Sequence, residues 1–178
     1  MGLLNRTRTY LAGNLEFSRE TTNWRKYIKK ELGKLGIICF NPMEKNFIND
    51  QEESDEHRNE LIRAREAGEW DKVHAYMKGC IQKDLRLIDI VDFVIFKFEF
   101  DVPTFGTPHE FYVANFEKKP IFVIAEDKRK VPLWLVGLLK EKYIYKNVDE
   151  VIEMLRKIDS GEVVMDSSRW RILREELR

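Results

Sequence analysis

Two carboxylates in this 178-residue chain occupy positions where an ordinary surface charge is not expected. The first is Asp84, which lies on the apolar stripe of a long helix pattern, four residues after Cys80 and three before Leu87. Apolar residues at this spacing turn toward the interior, and an ionised carboxylate among them is costly unless it has a structural partner or a ligand. Both explanations stay open for Asp84. The stripe consists of Val73, Met77, Cys80, Leu87 and Ile88.

The second carboxylate is Glu110, in a Pro- and Gly-containing stretch that follows a strongly apolar run. One interpretation is a helix capping box, with Thr107 as the N-cap, Pro108 as the first helical residue and Glu110 as the returning carboxylate. The other interpretation is a ligand site. Gly106 permits close approach of the backbone to a ligand, and the amides of a helix N-terminus bind anions such as phosphate.

Two acidic groups at one cleft are the minimum that chemistry at a glycosidic bond requires. One carboxylate attacks or stabilises the sugar carbon as it becomes cationic, and the other handles the proton of the leaving group. Tyr10 is placed to orient the attacking carboxylate through its hydroxyl, although a core tyrosine fits equally well. No cluster has the spacing of metal ligands, and no phosphate-binding loop or dinucleotide motif occurs, so we expect no metal and no cofactor.

The elements that position these residues alternate between strand and helix patterns. The run 93–98 is almost entirely apolar, which is typical of a central parallel strand covered on both faces. Asp89 and Asp92 stand where the long helix meets this strand, and we expect them to bond turn amides. The alternation predicts an α/β fold, namely a flavodoxin-like (Rossmann-like) three-layer sandwich with a five-stranded parallel sheet. The predicted strands are 9–12, 37–40, 93–98, 120–125 and 143–145.

Sheets of this kind bind ligands beyond the carboxyl ends of their strands, where the strand order reverses. This rule selects the loops after Gly13, after Phe40, and between Asp101 and Pro108. From these loops we predict the substrate-binding residues Gly13, Asn14, Asn41, Thr104, Gly106 and Thr107.

Composition narrows the classes of partner. The chain carries 31 basic and 31 acidic residues, so its zero net charge favours neither a nucleic acid polymer nor an anionic membrane. No apolar run reaches the roughly 18–20 residues of a membrane span, and the N-terminus does not read as a secretory signal. Cys39 and Cys80 lie in apolar segments and are expected to be reduced core residues. Together these features predict a cytoplasmic location.

The length predicts one domain spanning 1–178. Residues 44–72 are highly polar and contain helix-forming stretches, so we expect a polar helical insertion there. A C-terminal helix is predicted at about 167–178.

Three stretches of the chain together resemble the nucleoside 2-deoxyribosyltransferase family and its relatives, the nucleoside monophosphate N-hydrolases. The first stretch is Tyr10 to Gly13, similar to the family's opening strand and glycine turn. The second is Asp84 to Asp92, which begins and ends with an aspartate. The third is Gly106 to Glu110, followed by Ala114 and by Lys119-Pro120.

The resemblance implies a flavodoxin-like domain that forms a homodimer or a higher homo-oligomer. It implies Glu110 as the nucleophile that forms a covalent deoxyribosyl intermediate, Asp84 as the carboxylate on the base side, and Tyr10 as the orienting hydroxyl. Water or a second base would then resolve the intermediate. The implied substrate is a small molecule, a deoxynucleoside or deoxynucleotide whose N-glycosidic bond is cleaved.

Two positions depart from the family pattern and leave the reaction open. Thr104 stands where many transferases carry an aspartate and some nucleotide hydrolases a serine, which favours a nucleotide substrate. A hydrolase arginine aligns with Glu16, for which Ser18 and Arg19 are candidate replacements. Transfer to a base and hydrolysis of a nucleoside monophosphate are therefore both retained. A non-catalytic nucleotide-binding sensor is a further alternative, and a glycohydrolase acting on a nicotinamide dinucleotide is the last.

Overall fold

The computed structural model describes residues 2–15, 22–44, 55–165 and 168–170. Glu16, Ser18 and Arg19, the positions considered for the hydrolase arginine, lie outside these residues. Most of the predicted C-terminal helix at 167–178 also lies outside them, and residues 168–170 are not helical.

The sheet contains five strands, β1 (Arg8–Gly13), β2 (Ile38–Phe40), β3 (Phe93–Lys97), β4 (Ile121–Ile124) and β5 (Ile144–Tyr145). Their order is β2-β1-β3-β4-β5, and every neighbouring pair is parallel. The chain therefore runs outward from β1 in one direction and from β3 in the other, which makes the β1/β3 boundary the point of reversal. This order confirms the predicted flavodoxin-like sheet.

The α-helices of the described residues are α1 (Asn23–Gly33), α2 (Asp55–Glu66), α3 (Trp70–Ile90), α4 (Gly106–Phe116), α5 (Leu133–Leu138) and α6 (Val148–Asp159). Residues of α1 and α6 cover one face of the sheet, and residues of α3, α4 and α5 cover the other. The three predicted layers are thus present, and α2 packs against α3. Within the described residues, no helix combines the length and the apolar character needed to cross a bilayer.

The centre of the core is β3, because all five of its residues are buried. Val94 and Phe96 pack toward α3 and α4, whereas Phe93 and Ile95 pack toward α1 and α6. The doubly covered strand predicted from the apolar run is therefore confirmed.

The edge of the sheet is covered less completely than its centre. Among the described residues, β2 pairs only with β1, and Ile38 is 49% exposed. The strand predicted at 37–40 is therefore present as β2, but Ile38 is not covered, because the helix layers leave this edge position open. On the neighbouring α1, Trp24, Ile28 and Leu32 recur at helical spacing and form a buried face.

The apolar stripe of α3 is buried in its second half only. Cys80, Leu87 and Ile88 are buried, but Met77 is 42% exposed, which corrects the predicted continuous inner face. The reason is length, because a 21-residue helix extends about 31 Å while a five-residue strand extends only about 17 Å. The first half of α3 therefore passes beyond the sheet.

The last described residues are held against the core. Trp170 is buried, and its ring lies 5.5 Å from that of Phe93 and 5.8 Å from that of Phe122. Arg169 Nη1 donates a hydrogen bond of 2.9 Å to the carbonyl oxygen of Lys119. These contacts fasten residues 168–170 beside β3 and β4.

Candidate active site

Tyr10 lies in the body of β1, opposite Val94 of β3, and its ring packs in the core beneath α3 and α4. The residue is 1% exposed. Its hydroxyl donates a hydrogen bond of 2.9 Å to Glu110 Oε1. The fold thus brings together two predicted site residues that are 100 positions apart in the chain.

Glu110 is not part of a capping box, which corrects one of the two interpretations of its sequence. α4 begins at Gly106, its N-cap is Phe105, and no side chain caps it. Proline is tolerated throughout the first helical turn, where amides have no partner within the helix, so Pro108 does not mark the first residue. Thr107 is buried rather than acting as the N-cap. Glu110 therefore lies in the second turn, and its carboxylate accepts the Tyr10 hydroxyl.

Asp84 occupies the helix beside α4. It lies in the buried half of α3, between Cys80 and Leu87, and is half-buried. Its Oδ1 atom is inaccessible to solvent. α3 and α4 pack against each other, and both contact β1. Asp84 and Glu110 therefore belong to neighbouring helices of one layer, above the strand that carries Tyr10.

The acidic residues at the end of α3 have structural partners. Asp92 Oδ2 accepts a hydrogen bond of 2.7 Å from the amide of Arg8, which is the first residue of β1 and not one of the turn amides that we expected. Asp89 instead forms a surface ion pair with Arg86 at 3.0 Å, because residues three apart are neighbours on a helix. Lys119 Nζ donates to the Asp89 carbonyl oxygen at 2.8 Å and so supports the C-terminal end of α3.

Gly13 is required by packing at the end of β1. A Cβ atom there would lie 2.9 Å from the Lys97 carbonyl oxygen, 3.1 Å from Trp24 Cζ2 and 3.2 Å from Arg25 Nη2. The first distance is shorter than real Cβ contacts and the other two are tighter than most, so a side chain would force the Lys97 backbone of β3 away from β1. Strand packing alone therefore explains this glycine, and its predicted contact with substrate stays a prediction.

Asn14 and Asn41, which we predicted to bind substrate, form different hydrogen bonds. Asn14 Nδ2 donates to the Glu99 carbonyl oxygen at 3.2 Å and lies 3.5 Å from that of Val102. Both carbonyls belong to the loop between β3 and α4. Asn41 is buried and forms a local turn, in which Oδ1 accepts from the Met43 amide and Nδ2 donates to Glu44, each at 3.1 Å. A substrate contact by Asn41 stays a prediction.

Thr104 and Gly106 lie at the entrance to α4. Thr104 is one of the residues that line a cavity of about 310 Å³, together with aromatic side chains of the β3–α4 loop, α4 and α5. A Cβ atom on Gly106 would meet no heavy atom within 4 Å. Unlike Gly13, Gly106 therefore has no packing reason to be glycine, and the space beside its backbone is open.

An apolar face of α4, α5 and the residue before α4 is exposed. Within it, Leu133 is 89% exposed and Trp134 is 73% exposed, and Trp134 lines the same cavity as Tyr112. Large exposed apolar patches mark interaction surfaces in soluble proteins. This apolar face consists of Phe105, Tyr112, Phe116, Leu133, Trp134 and Val136.

Arg25 is a buried charge that the sequence analysis did not select. It is fully buried, and its guanidinium donates to the carbonyl oxygens of Leu11 and Gly13, each at 3.0 Å. Its burial could have been predicted from the sequence, because Arg25 stands three residues before Ile28 and seven before Leu32, on the same helix face. Arg25 thereby fixes the end of β1.

These observations define an α/β protein of the flavodoxin-like class, with a tyrosine–carboxylate pair between the sheet and one helix layer. No family model matches the chain, and no curated protein matches it. Solved structures do match it, at low sequence identity.

The chain is similar to a 2-deoxyribosyltransferase from the psychrotolerant bacterium Bacillus psychrosaccharolyticus, with a TM-score of 0.54 and 17% identity over 82% of this chain and 90% of that chain. It is also similar to a conserved protein from Enterococcus faecalis V583, with a TM-score of 0.57 and 18% identity over 85% and 98%. A CMP N-glycosidase from Clostridium botulinum matches with a TM-score of 0.43 and 16% identity over 84% and 98%. The chain thus shares its fold with a deoxyribosyltransferase.

Proposed function

We propose that this chain cleaves the N-glycosidic bond of a deoxynucleoside or deoxynucleotide, with Glu110 as the nucleophile. The observation that carries the proposal is the 2.9 Å hydrogen bond from the buried Tyr10 hydroxyl to Glu110 Oε1. Because α4 begins at Gly106, this carboxylate has no capping role that would explain its position. A carboxylate held by a rigid core residue is oriented before substrate binds, which lowers the cost of reaching the reactive geometry.

The proposed reaction has two steps. In the first, a Glu110 oxygen bonds to the anomeric carbon while the bond from that carbon to the base nitrogen breaks, and the base leaves with the electron pair. Asp84 gives a proton to the departing base. In the second step, water or another base attacks the same carbon, the ester to Glu110 breaks, and the proton of the incoming nucleophile returns to Asp84. The enzyme is then regenerated.

Asp84 is assigned to the base side because of its position. It lies on α3, which packs against α4 and contacts β1, and its Oδ1 atom is inaccessible to solvent. The fold shared with the Bacillus deoxyribosyltransferase adds support for a glycosyl-transferring site in this layer.

A 5′-monophosphate substrate is favoured by the start of α4. The N-cap Phe105 provides no side-chain cap, so the first amides of the helix are available to an anion. Thr104 precedes them with a hydroxyl, and the space beside Gly106 is open. Nucleoside monophosphate N-glycosidase activity is therefore the second candidate function.

We further propose that the protein acts as a homodimer or higher homo-oligomer through the apolar face defined above. Its exposed residues on α4 and α5 adjoin the cavity that Thr104 lines, so a second copy seated there would cover both. Light scattering should give the mass of an oligomer for the parent and a smaller mass for Trp134→Glu. A parent that is monomeric at assay concentration would contradict this part of the proposal.

Product analysis tests the function. The protein is incubated with 2′-deoxynucleosides and with their 5′-monophosphates, each with and without a second free base. Base released together with free deoxyribose or deoxyribose 5-phosphate indicates hydrolysis, and a new nucleoside or nucleotide indicates transfer. Tight binding without any turnover would favour the nucleotide-sensor alternative.

Variants of Glu110 on α4 and of Glu117, the residue that caps the C-terminal end of this helix, provide the matched comparison. Glu110→Ala should lower base release about 10³-fold or more, because no nucleophile remains. Glu117→Gln changes a carboxylate at the other end of the same helix and should retain activity within about threefold. If Glu110→Ala released base as fast as the parent, the assignment of the nucleophile would be wrong.

A further inference from the structure

The two polar atoms of the Asn14 side-chain amide have different surroundings. Its Nδ2 atom donates to the Glu99 carbonyl oxygen and lies near that of Val102. Its Oδ1 atom is buried, and within the described residues it has no hydrogen-bond partner. The residue as a whole is 3% exposed. Such an acceptor is uncommon in folded proteins, because its lost hydration is not replaced.

Asn14 lies at the place in the sheet where a ligand is expected to bind. Asn14 follows β1 directly, at the boundary with β3 where the strand order reverses. Sheets with this order bind ligands at that edge. The loop that Asn14 holds leads from β3 into α4, the helix that carries Glu110. Asn14 thus joins the end of one strand to the loop before the candidate nucleophile.

The orientation of the amide is fixed by the loop. Exchange of the nitrogen and oxygen atoms would place Oδ1 against the carbonyl oxygens of Glu99 and Val102, and two acceptors cannot bond each other. The oxygen therefore points away from these carbonyls, and the hydrogen bond it accepts must come from elsewhere.

Thr9 shows why location matters as much as burial. Its Oγ1 atom is also buried without a hydrogen-bond partner in the described part of the chain. Thr9, however, lies inside the sheet between Cys39 of β2 and Phe93 of β3. A ligand has no access to that interior position, whereas Asn14 stands at the strand end.

We propose that Asn14 determines substrate specificity, with Oδ1 accepting a hydrogen bond from an N–H or O–H group of the nucleoside while Nδ2 holds the β3–α4 loop. This inference rests on the proposed function, because it names one contact to that substrate. The donor is a sugar hydroxyl or an amino group of the base. A substrate without this donor leaves Oδ1 buried and unbonded, so the site discriminates against it.

The test removes single hydrogen-bonding groups from the substrate and single polar side chains from the protein. It uses a deoxynucleoside that the parent cleaves, its 3′-deoxy and 5′-deoxy analogues, and the analogue whose base lacks the amino group. The kcat/KM of each is measured for the parent, for Asn14→Leu and for Asn14→Ala, so that one variant suffices if the other does not fold. Thr9→Val is the matched control, since it removes another buried polar atom of the same region of chain.

One analogue should lose about 10-fold or more in kcat/KM with the parent and with Thr9→Val, because Oδ1 then lacks its donor. The same analogue should lose less than about threefold with the Asn14 variants, in which no acceptor is left to satisfy. That analogue identifies the donor. A purely structural role would slow all substrates equally and leave every ratio unchanged.

Two results would overturn the inference, and they are distinguishable. If the parent cleaves deoxynucleosides but every analogue is penalised equally in the parent and in the Asn14 variants, Oδ1 makes no substrate contact and the proposed function stands. If the parent cleaves none of the nucleosides or monophosphates, the proposed function fails and this inference fails with it.

Discussion

The Tyr10 hydroxyl and Glu110 Oε1 are 2.9 Å apart, and the bond between them joins the first strand of the sheet to the second turn of α4. Tyr10 is buried in the core, where it belongs to the cluster beneath α3 and α4. The hydrogen bond from this residue of the sheet therefore orients the Glu110 carboxylate. Rigid support of this kind is what a nucleophile on a helix needs.

Removal of the Tyr10 hydroxyl should slow the reaction without unfolding the protein. We expect Tyr10→Phe to lower kcat by about 10-fold or more with a smaller effect on KM, because the hydrogen bond orients the nucleophile rather than the whole substrate. Tyr27→Phe is the control, since it removes a tyrosine hydroxyl that bonds Asp149 at the surface, on the helix layer of the opposite sheet face. Steady-state kinetics on both variants measures the effect. Equal kcat values for Tyr10→Phe and the parent would show that the hydroxyl does not support catalysis.

The two glycines at the candidate site should respond in opposite ways to alanine. Gly13→Ala should destabilise the protein by about 1–3 kcal/mol, because the new Cβ meets the Lys97 carbonyl. Gly106→Ala meets open space and should leave stability unchanged or raise it by up to about 1 kcal/mol, since alanine favours helices. Urea denaturation measures both changes.

The activity of Gly106→Ala tests whether the start of α4 contacts the substrate. If substrate approaches the backbone of Gly106, Gly106→Ala should lower kcat/KM by about 10-fold despite its full stability. A fully active Gly106→Ala protein would place the substrate away from the start of α4.

Arg25 should be among the most sensitive positions for stability. Arg25→Met removes both hydrogen bonds to the end of β1 and leaves buried carbonyl oxygens without these donors, at a cost of about 3 kcal/mol. Arg156→Met is the control, because Arg156 forms an exposed ion pair with Glu31 worth less than about 1 kcal/mol. Denaturation midpoints compare them. Similar midpoints for the two variants would contradict the anchoring role of Arg25.

The Cys39 thiol should make stability fall in alkali. Burial raises the pKa of this thiol to about 12, whereas an unfolded chain ionises it near about 8.5. The folded state thus keeps a proton that the unfolded state loses, so stability declines as the pH rises from about 8.5 toward 12. Between pH 8 and 10 the loss should be about 2 kcal/mol.

Cys39→Ala isolates this contribution. Its stability should change less between pH 8 and 10 than that of the parent, when both are measured by urea denaturation at the two pH values. Identical pH dependence in the two proteins would mean that the Cys39 thiol is not protected by the fold.

The layers of the fold follow from the sequence because each depends on local patterns. A continuous apolar run predicts β3, and the helical spacing of Trp24, Ile28 and Leu32 predicts the buried face of α1. Such patterns say which residues share a face but not what covers that face. The exposed Met77 of α3 therefore escapes prediction, since it depends on where the sheet ends.

The site was predictable only in part. Glu110 and Tyr10 could be selected by residue type and by resemblance, but the contact between them depends on the packing of α4 on β1. The first residue of α4 was missed, because Thr-Pro at a helix start fits several positions in the first turn. The bond from Asn14 to Glu99 depends on the path of a loop that has no periodic pattern.

Rapid-quench mass spectrometry of the intact protein tests the central claim most directly. The protein is mixed with a cleavable deoxynucleoside or its monophosphate, and the reaction is quenched in acid within the first turnover. The mass of the intact protein is then measured. A covalent nucleophile predicts a population heavier by one deoxyribosyl group or its phosphate, located on the peptide that contains Glu110 and absent from Glu110→Ala. Base release without any such adduct, or an adduct that persists in Glu110→Ala, would contradict the account.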